Sequence, residues 1–374
     1  MLIVHLVTSS GRHSWLEHML LQHKSHGIEQ YFFSLEPEGE IHKFLLKHHI
    51  ESDQKRQPGL IGLVRDIKKL RNTTDRVIIL AHGYAPSYSA LIINSLLNVQ
   101  YGIIHHHQPN YFKLAMQKNK SIRFYLHEII YRLTIRKAVF IQSLSDEVTR
   151  KLLRGGVPKN RILELGHGID FSKIPSSSAT LKHFCNHNDQ ISILMVGRLS
   201  WEKNYKLALQ AFKLFLETTP NAVMCITGIG PELDEFRASV SREGLEDQIH
   251  FLGWQGDIYS VMAQHNIFLH TALTESYCQV LIESKIADMA LVSTDVGIAR
   301  NLSMLSKSSL VSPKFDPWAV AELMSSLNEN PQKRVPFSDA SRNVYRMHDQ
   351  EEIFRILKNY LKNEVPKLLE GGKP

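Results

Sequence analysis

The sequence predicts an α/β protein made of two Rossmann-like domains, each a doubly wound parallel sheet. Three observations predict it. Short β-branched runs alternate with segments of helical period along nearly the whole chain. The length of 374 residues exceeds one such domain and suits two. Near the middle, the serine-rich stretch IPSSSATLKHFCNHNDQ lacks apolar periodicity and reads as a linker.

The first half opens on MLIVHLV, a buried strand followed by the polar loop TSSGRHS. This start lacks the basic residues and small-residue cleavage pattern of a secretory leader. The helix WLEHMLLQHKSHG ends at Gly27, and EQYFFSLE is the second strand. IHKFLLKHHI and GLIGLVRDIKKLRN have helical spacing, and DRVIILAH is the next strand. Helix PSYSALIINSLLN, strand VQYGIIHHH and the lead-in QPNYFKLAMQK then precede a basic helix. KAVFIQSL is a short strand, and SDEVTRKLLRGG is a helix with Ser145 as its cap and glycine at its end. RILELGHGIDF closes the half.

The second half repeats the theme. ISILMVGRLSWEKNYKLALQAFKLFLE reads as strand, glycine turn and a helix starting near Lys203. AVMCITGIGPELDEFRASV follows the same pattern, with Pro231 expected in the first helical turn. The domains are therefore drawn at 1–172 and 191–337, joined by a linker at 173–190 and followed by C-terminal helices at 338–374.

Composition places the chain among ordinary soluble proteins, with 43% hydrophobic and 22% charged residues. No apolar run is long enough for a transmembrane helix. Three cysteines, Cys185, Cys225 and Cys278, are odd in number and far apart, which suggests a reducing, cytoplasmic setting without a disulfide framework. Charge is uneven: residues 1–185 carry 25 Lys and Arg against 14 Asp and Glu, although the whole chain has a net charge of only +7. The densest cations are Lys113, Lys118, Lys120, Arg123, Arg132, Arg136 and Lys137, with Glu128 the one carboxylate among them. Between them Ile122, Leu126, Ile129, Ile130 and Leu133 form an apolar stripe at helical spacing. The plainer reading packs that stripe on its own sheet and leaves the basic face to solvent. The functional reading is peripheral contact with the inner face of an anionic membrane. Nucleic acid is not expected, because no recognised binding motif accompanies the charge.

The stretch IFLHTALTESYCQVLIESKIADMALVSTDVG, 267–297, carries the chemistry. It reads as strand, polar loop, helix and strand, and in a parallel βαβ unit that loop opens at the ligand-binding edge of the sheet. Free backbone N–H groups at the helix start favour a phosphate. Glu275 in the loop and Glu283 one turn into the helix cannot profit from phosphate, so hydroxyl groups of a sugar or ribose suit them better. The bland alternative makes Glu275 a helix-terminal charge and Glu283 a solvated one.

GRLSWEKN, ITGIGPELDEF, IHFLGW and the two glutamates eight residues apart stand in the order and spacing of the retaining GT-B glycosyltransferases of the "group 1" family. The chain resembles that family over most of 138–300 and more loosely throughout. The resemblance implies two Rossmann-like domains facing across a cleft, with the last helix crossing back to the first domain. It implies that Arg198 and Lys203 hold the donor diphosphate, Glu283 the ribose and Glu275 the donor sugar. The backbone of Ser276, Tyr277, Cys278 and Gln279 would meet the sugar and distal phosphate, and Leu252–Gly253–Trp254 would line the base pocket. One histidine belongs at the end of the strand VQYGIIHHH, near the reacting centre: His107 fits best and His106 second. His105, His106 and His107 do not suit a shared metal ion, since neighbours on a strand point to opposite faces. No metal or other cofactor is expected; the partners are a UDP- or GDP-sugar and a glycan or lipid-linked acceptor.

Several family glycines are missing. The first loop has only Gly11, Cys278 stands where a glycine is usual, and Gly297 is followed by Ile298. Lost glycines restrict how closely backbone approaches phosphate. The preferred function is sugar transfer from a nucleotide sugar to an acceptor hydroxyl in polysaccharide or glycolipid biosynthesis. The alternative is a catalytically weak GT-B protein that binds nucleotide or glycan within an assembly complex. A nicotinamide-dependent dehydrogenase fits less well, because GIGPEL lacks the third glycine of the dinucleotide fingerprint.

Overall fold

The computed structural model describes residues 1–8, 14–53, 59–74, 76–104, 110–119, 122–171, 190–330 and 348–371. They fall into two compact units, Met1–Gly168 with Gln350–Pro374, and Ile169–Asp349. The expected linker, save its last residue, and the expected boundary at 337–338 lie outside the described residues, as do Gly11, Lys120, Cys185 and the three consecutive histidines His105, His106 and His107.

In the first unit β1 (Leu2–Val7), β2 (Gln30–Ser34), β3 (Val77–His82), β4 (Gln100–Ile104), β5 (Phe140–Ser143) and β6 (Ile162–Glu164) form one parallel sheet in the order β2-β1-β3-β4-β5-β6. The helices are α1 (Ser14–Ser25), α2 (Glu40–Lys47), α3 (Leu60–Arg71), α4 (Tyr84–Leu97), α5 (Tyr111–Asn119), α6 (Ile122–Lys137) and α7 (Asp146–Arg154). Successive β1 side chains feed opposite cores. Ile3 and Val7 join Leu16 and Leu20 of α1, whereas Val4 and Leu6 join Leu63 of α3 and Ile93 of α4. Both sheet faces are therefore covered, as a parallel sheet requires. Ser145 caps α7, accepting a hydrogen bond from the Val148 amide at 3.5 Å.

Helix α6 departs from the plainer expectation. Tyr131, Thr134 and Ile135 are its buried residues, while the stripe Ile122, Leu126, Ile129, Ile130 and Leu133 is exposed. The aromatic and polar side packs inward because Tyr84 of α4 and Phe112 of α5 offer Tyr131 aromatic partners.

In the second unit β7 (Ser192–Val196), β8 (Val223–Thr227), β9 (Ile249–Gly253), β10 (Ile267–His270), β11 (Ala290–Thr294) and β12 (Ser309–Ser312) form a parallel sheet ordered β12-β11-β10-β7-β8-β9. Around it lie α8 (Tyr205–Thr218), α9 (Leu233–Arg242), α10 (Ile258–Met262), α11 (Gln279–Ile286), α12 (Ala299–Leu305) and α13 (Pro317–Glu329). Phe212 and Phe215 of α8 meet Ile193, Val292 and Met324 in the core. This is the dinucleotide-fold strand order, and it reverses between β7 and β10. Helix α8 starts at Tyr205, close to the expected Lys203: a 3-10 turn at Trp201–Lys203 comes first, and Asn204, at φ 53°, breaks the path before the helix. Pro231 likewise precedes α9 rather than lying within its first turn.

A final helix, α14 (Gln350–Gly371), belongs to the first unit, where Phe354, Leu357, Leu361 and Val365 share the core of Leu16 and Leu20. Cys225 is disulfide-bonded, which corrects the expectation of unlinked thiols: sequence spacing does not reveal which cysteines a fold brings together. Cys278 is free and buried. Among the described residues no helix is long and apolar enough to cross a membrane.

Candidate functional site

Reversal of strand order leaves a crevice beyond the carboxyl ends of β7 and β10. The loops after these two strands are tied together by backbone. The Leu273 amide donates to the Glu202 carbonyl at 2.8 Å, and the Thr271 hydroxyl donates to the carbonyls of Lys203 and Asn204 at 3.1 and 3.2 Å. These bonds fix the 3-10 turn that carries Lys203 against the loop that carries Glu275.

The result is a buried ion pair between the Lys203 ammonium and Oε1 of Glu275. Glu275 is 6% exposed. Burial pushes its carboxyl up, but the His270 hydrogen bond and the Lys203 charge outweigh it and hold the pKa at about 2. Burial alone would lower Lys203; the Glu275 carboxylate reverses that and raises it. His270 Nε2 lies 3.4 Å from Glu275 Oε1 and 3.2 Å from Cys278 Sγ. Burial lowers the pKa of His270, so a neutral ring with its proton on Nε2 serves both acceptors. Burial likewise raises the Cys278 thiol. His270, Glu275 and Cys278 offer three ligand atoms within 4.8 Å of one another, a spacing that a metal ion could use. The Lys203 ammonium already occupies the shared oxygen and supplies the positive charge there.

Cys278 adopts the left-handed conformation, φ 68° and ψ 68°, at the cap of α11. Glycine would reach this conformation without strain; the cysteine reaches it with its sulfur held against His270. From there the chain turns so that Gln279 and Glu283 share a helix face, with Gln279 Nε2 donating to Glu283 Oε1 at 2.9 Å. Burial raises the Glu283 carboxyl, and Gln279 offsets only part of that rise. Among the described residues Glu283 therefore differs from Glu275 in having no cation beside it: its remaining acceptor capacity suits hydroxyl donors. Tyr277 is buried, and its hydroxyl meets His348 Nδ1 at 2.6 Å.

Two further loops complete the edge. Gly228 donates from its amide to the Gly253 carbonyl at 2.8 Å, and a Cβ on Gly228 would lie 1.9 Å from the Gly197 carbonyl. Trp254, next to Gly253, is 73% exposed. Gly297, at φ 56°, lets the Ile298 amide reach the Tyr277 carbonyl at 3.0 Å; a Cβ there would sit 2.3 Å from that oxygen.

Lys203 and Glu275, predicted as separate binding residues, are thus brought into contact, and so are Gln279 and Glu283. Glu202, next to Lys203, accepts from the Ser200 hydroxyl at 2.6 Å. Arg198 is exposed just beyond β7 and forms no ion pair among the described residues. Sequence reading missed His270 and Thr271. Both lie at the end of an apolar strand, where a polar residue pair was the available signal.

The fold is of the GT-B class. Similar solved structures include HepE of Anabaena in complex with UDP, with a TM-score of 0.75, 17% identity and coverage of 96% of this chain and 99% of that one. Sucrose-phosphate synthase of Thermosynechococcus elongatus has a TM-score of 0.76 at 13% identity, covering 98% and 100%. Residues 181–344 match the model of the glycosyl transferases group 1 family. Curated relatives include a phosphatidylinositol N-acetylglucosaminyltransferase component from Arabidopsis thaliana, 24% identical over 49% of this chain and 38% of its own length. Its human namesake is 32% identical over 33% and 27%. A Campylobacter jejuni 4-alpha-N-acetylgalactosaminyltransferase, whose name specifies a diphospho-undecaprenol-linked acceptor, is 28% identical over 45% and 46%. The chain thus spans less than half the length of these relatives.

Proposed function

We propose that the protein is a retaining glycosyltransferase that moves a sugar from a UDP- or GDP-sugar to a hydroxyl of a lipid-linked or glycan acceptor, in envelope glycan or glycolipid synthesis. The observation that carries this reading is the pairing of opposites at the β7–β10 edge. Glu275 is held ionised beside a lysine, while eight residues on Glu283 is buried without a cation. A nucleoside diphosphate sugar needs both environments, cations for its phosphates and acceptors for its hydroxyls.

In this mechanism the bond between the anomeric carbon and the diphosphate oxygen breaks while the acceptor oxygen attacks from the same face. The acceptor proton passes to the departing phosphate. Negative charge grows on the diphosphate, and Lys203, with Arg198 beside the same strand edge, stabilises it. Glu275 orients the donor sugar through its hydroxyls, Glu283 grips the ribose, and the exposed Trp254 ring lies where a base can stack. The reaction needs no metal, because these cations take that role. The lipids in the relatives' names, phosphatidylinositol and diphospho-undecaprenol, support an acceptor held at a membrane surface.

The test is a hydrolysis and transfer assay across UDP- and GDP-sugars, with and without a chelator. Turnover of one nucleotide sugar that survives chelation supports the reading. Binding without any turnover would favour a non-catalytic nucleotide-binding role.

A further inference from the structure

Helix α6 turns its apolar side to solvent. Ile122 is 74% exposed, Leu133 53% and Leu126 52%, with Tyr125, Ile129 and Ile130 also exposed. At 3.6 residues per turn these six side chains fill one arc of roughly 140°. The buried residues Tyr131, Thr134 and Ile135 lie opposite. Arg123 borders the arc on one edge and Arg132 on the other, and Arg136 and Lys137 close its C-terminal end. An exposed contiguous apolar patch of this kind, rimmed by polar groups, marks a contact surface.

Against the Arg132 edge lies a pocket of about 430 Å³ between α5, α6 and α7. Its cations are Lys113, Arg132, Arg150, Lys151 and Arg154. Two carboxylates share its wall: Glu128 pairs with Arg132 at 3.1 Å, and Glu147 accepts from Asn110 at 3.4 Å, which leaves the cations in excess. Lys151 is half-buried, with its ammonium 5.5 Å from the centre of the Tyr131 ring. Burial lowers its pKa, so a bound anion would relieve the cost of keeping it charged.

We propose that this face docks the first unit on an anionic phospholipid bilayer, the α6 arc entering the headgroup boundary and the pocket between α5, α6 and α7 receiving a lipid phosphate. Charge complementarity selects this occupant: the apolar arc alone would suit any hydrophobic partner, but cations on both rims and in the adjoining pocket match an anionic lipid surface. Tyr125, on the shared border, fits the interfacial role of an aromatic ring with one wet end. The inference deepens the reading of an enzyme acting on a lipid-linked acceptor. Its residues lie outside the donor site, so the two can fail separately.

The test is co-sedimentation of the full chain with vesicles of phosphatidylglycerol and phosphatidylcholine in equal parts, compared with phosphatidylcholine alone. The wild type is expected to bind the anionic vesicles and release in high salt. Lys151→Gln with Arg154→Gln should weaken binding about fivefold per charge removed, and Leu126→Ser with Leu133→Ser should abolish it. A Leu126→Trp variant should show a blue-shifted emission on anionic vesicles, which reports insertion independently of the loss variants. Nucleotide-sugar hydrolysis by the soluble variants is expected to equal the wild type, which confirms that they fold. Equal binding to neutral and anionic vesicles, or pocket variants that bind as the wild type does, would overturn the proposal. So would a wild type that ignores vesicles but dimerises in a manner abolished by the two serine substitutions, which would make the face a contact between copies.

Discussion

Lys203 and Glu275 stand 72 residues apart in sequence and meet as a buried ion pair at the point where the strand order of the second sheet reverses. The pair is fixed from both sides, by backbone bonds from the Thr271–Leu273 segment and by the His270 ring. Removing one partner leaves a charge in low dielectric, which typically costs about 3 kcal/mol. Lys203→Ala is therefore expected to lower the denaturant midpoint and to release the Glu275 carboxyl upward from its pKa of about 2. If diphosphate charge grows in the transition state, kcat should fall more than KM rises. A pure KM effect in steady-state kinetics would show that Lys203 serves binding alone.

Glu283 is expected to trade stability for binding. Its folded pKa is raised by burial, so its charged form is disfavoured on folding and costs stability at neutral pH. Glu283→Gln should therefore raise Tm while weakening free nucleoside diphosphate and donor together, by about 1–3 kcal/mol for unpaired ribose hydroxyls. Calorimetry checks the second half; unchanged nucleotide affinity would remove Glu283 from the site.

Gly297→Ala should damage the same site without touching a charged group. The residue has φ 56°, and its new Cβ would press 2.3 Å from the Tyr277 carbonyl and 3.3 Å from Glu275 Cβ. The loop carrying Glu275 must then shift. Donor affinity is expected to drop at least tenfold, by the same calorimetric measurement, with the first unit's vesicle binding intact.

Acid sensitivity should arise in the first unit. His5 Nδ1 lies 3.2 Å from His82 Nε2, and its Nε2 lies 3.2 Å from His23 Nδ1. Burial lowers His5 well below the ordinary value and takes His23 to about 3. The unfolded chain charges these rings near pH 6.5, the folded one only at far lower pH. Stability is thus fully present above about pH 6.5 and is lost as pH falls toward 3. Urea midpoints measured across that window should decline for the wild type and decline less for His23→Gln.

Both doubly wound sheets were legible in the sequence, because buried parallel strands such as LIVHLV and SILMV are short, mainly apolar and separated by helical periods. Family spacing singled out the two glutamates and Lys203 as candidates. What could not be read was contact across distance. Nothing in the sequence pairs Lys203 with Glu275, 72 residues away; a 3-10 turn and the left-handed Asn204 swing the lysine toward β10. The orientation of α6 was equally hidden. Its apolar stripe and its Tyr131–Ile135 side are both hydrophobic enough to pack, and only the aromatic neighbours from α4 and α5 decide between them.

The most direct test of the central claim is the anomeric configuration of the sugar released from UDP- and GDP-sugars, read by proton NMR before mutarotation. The account predicts that one nucleotide sugar is cleaved with its configuration retained, and that Glu275→Gln and Lys203→Ala suppress the signal. An inverted product, or no release from any donor by protein that binds the nucleoside diphosphate, would contradict it.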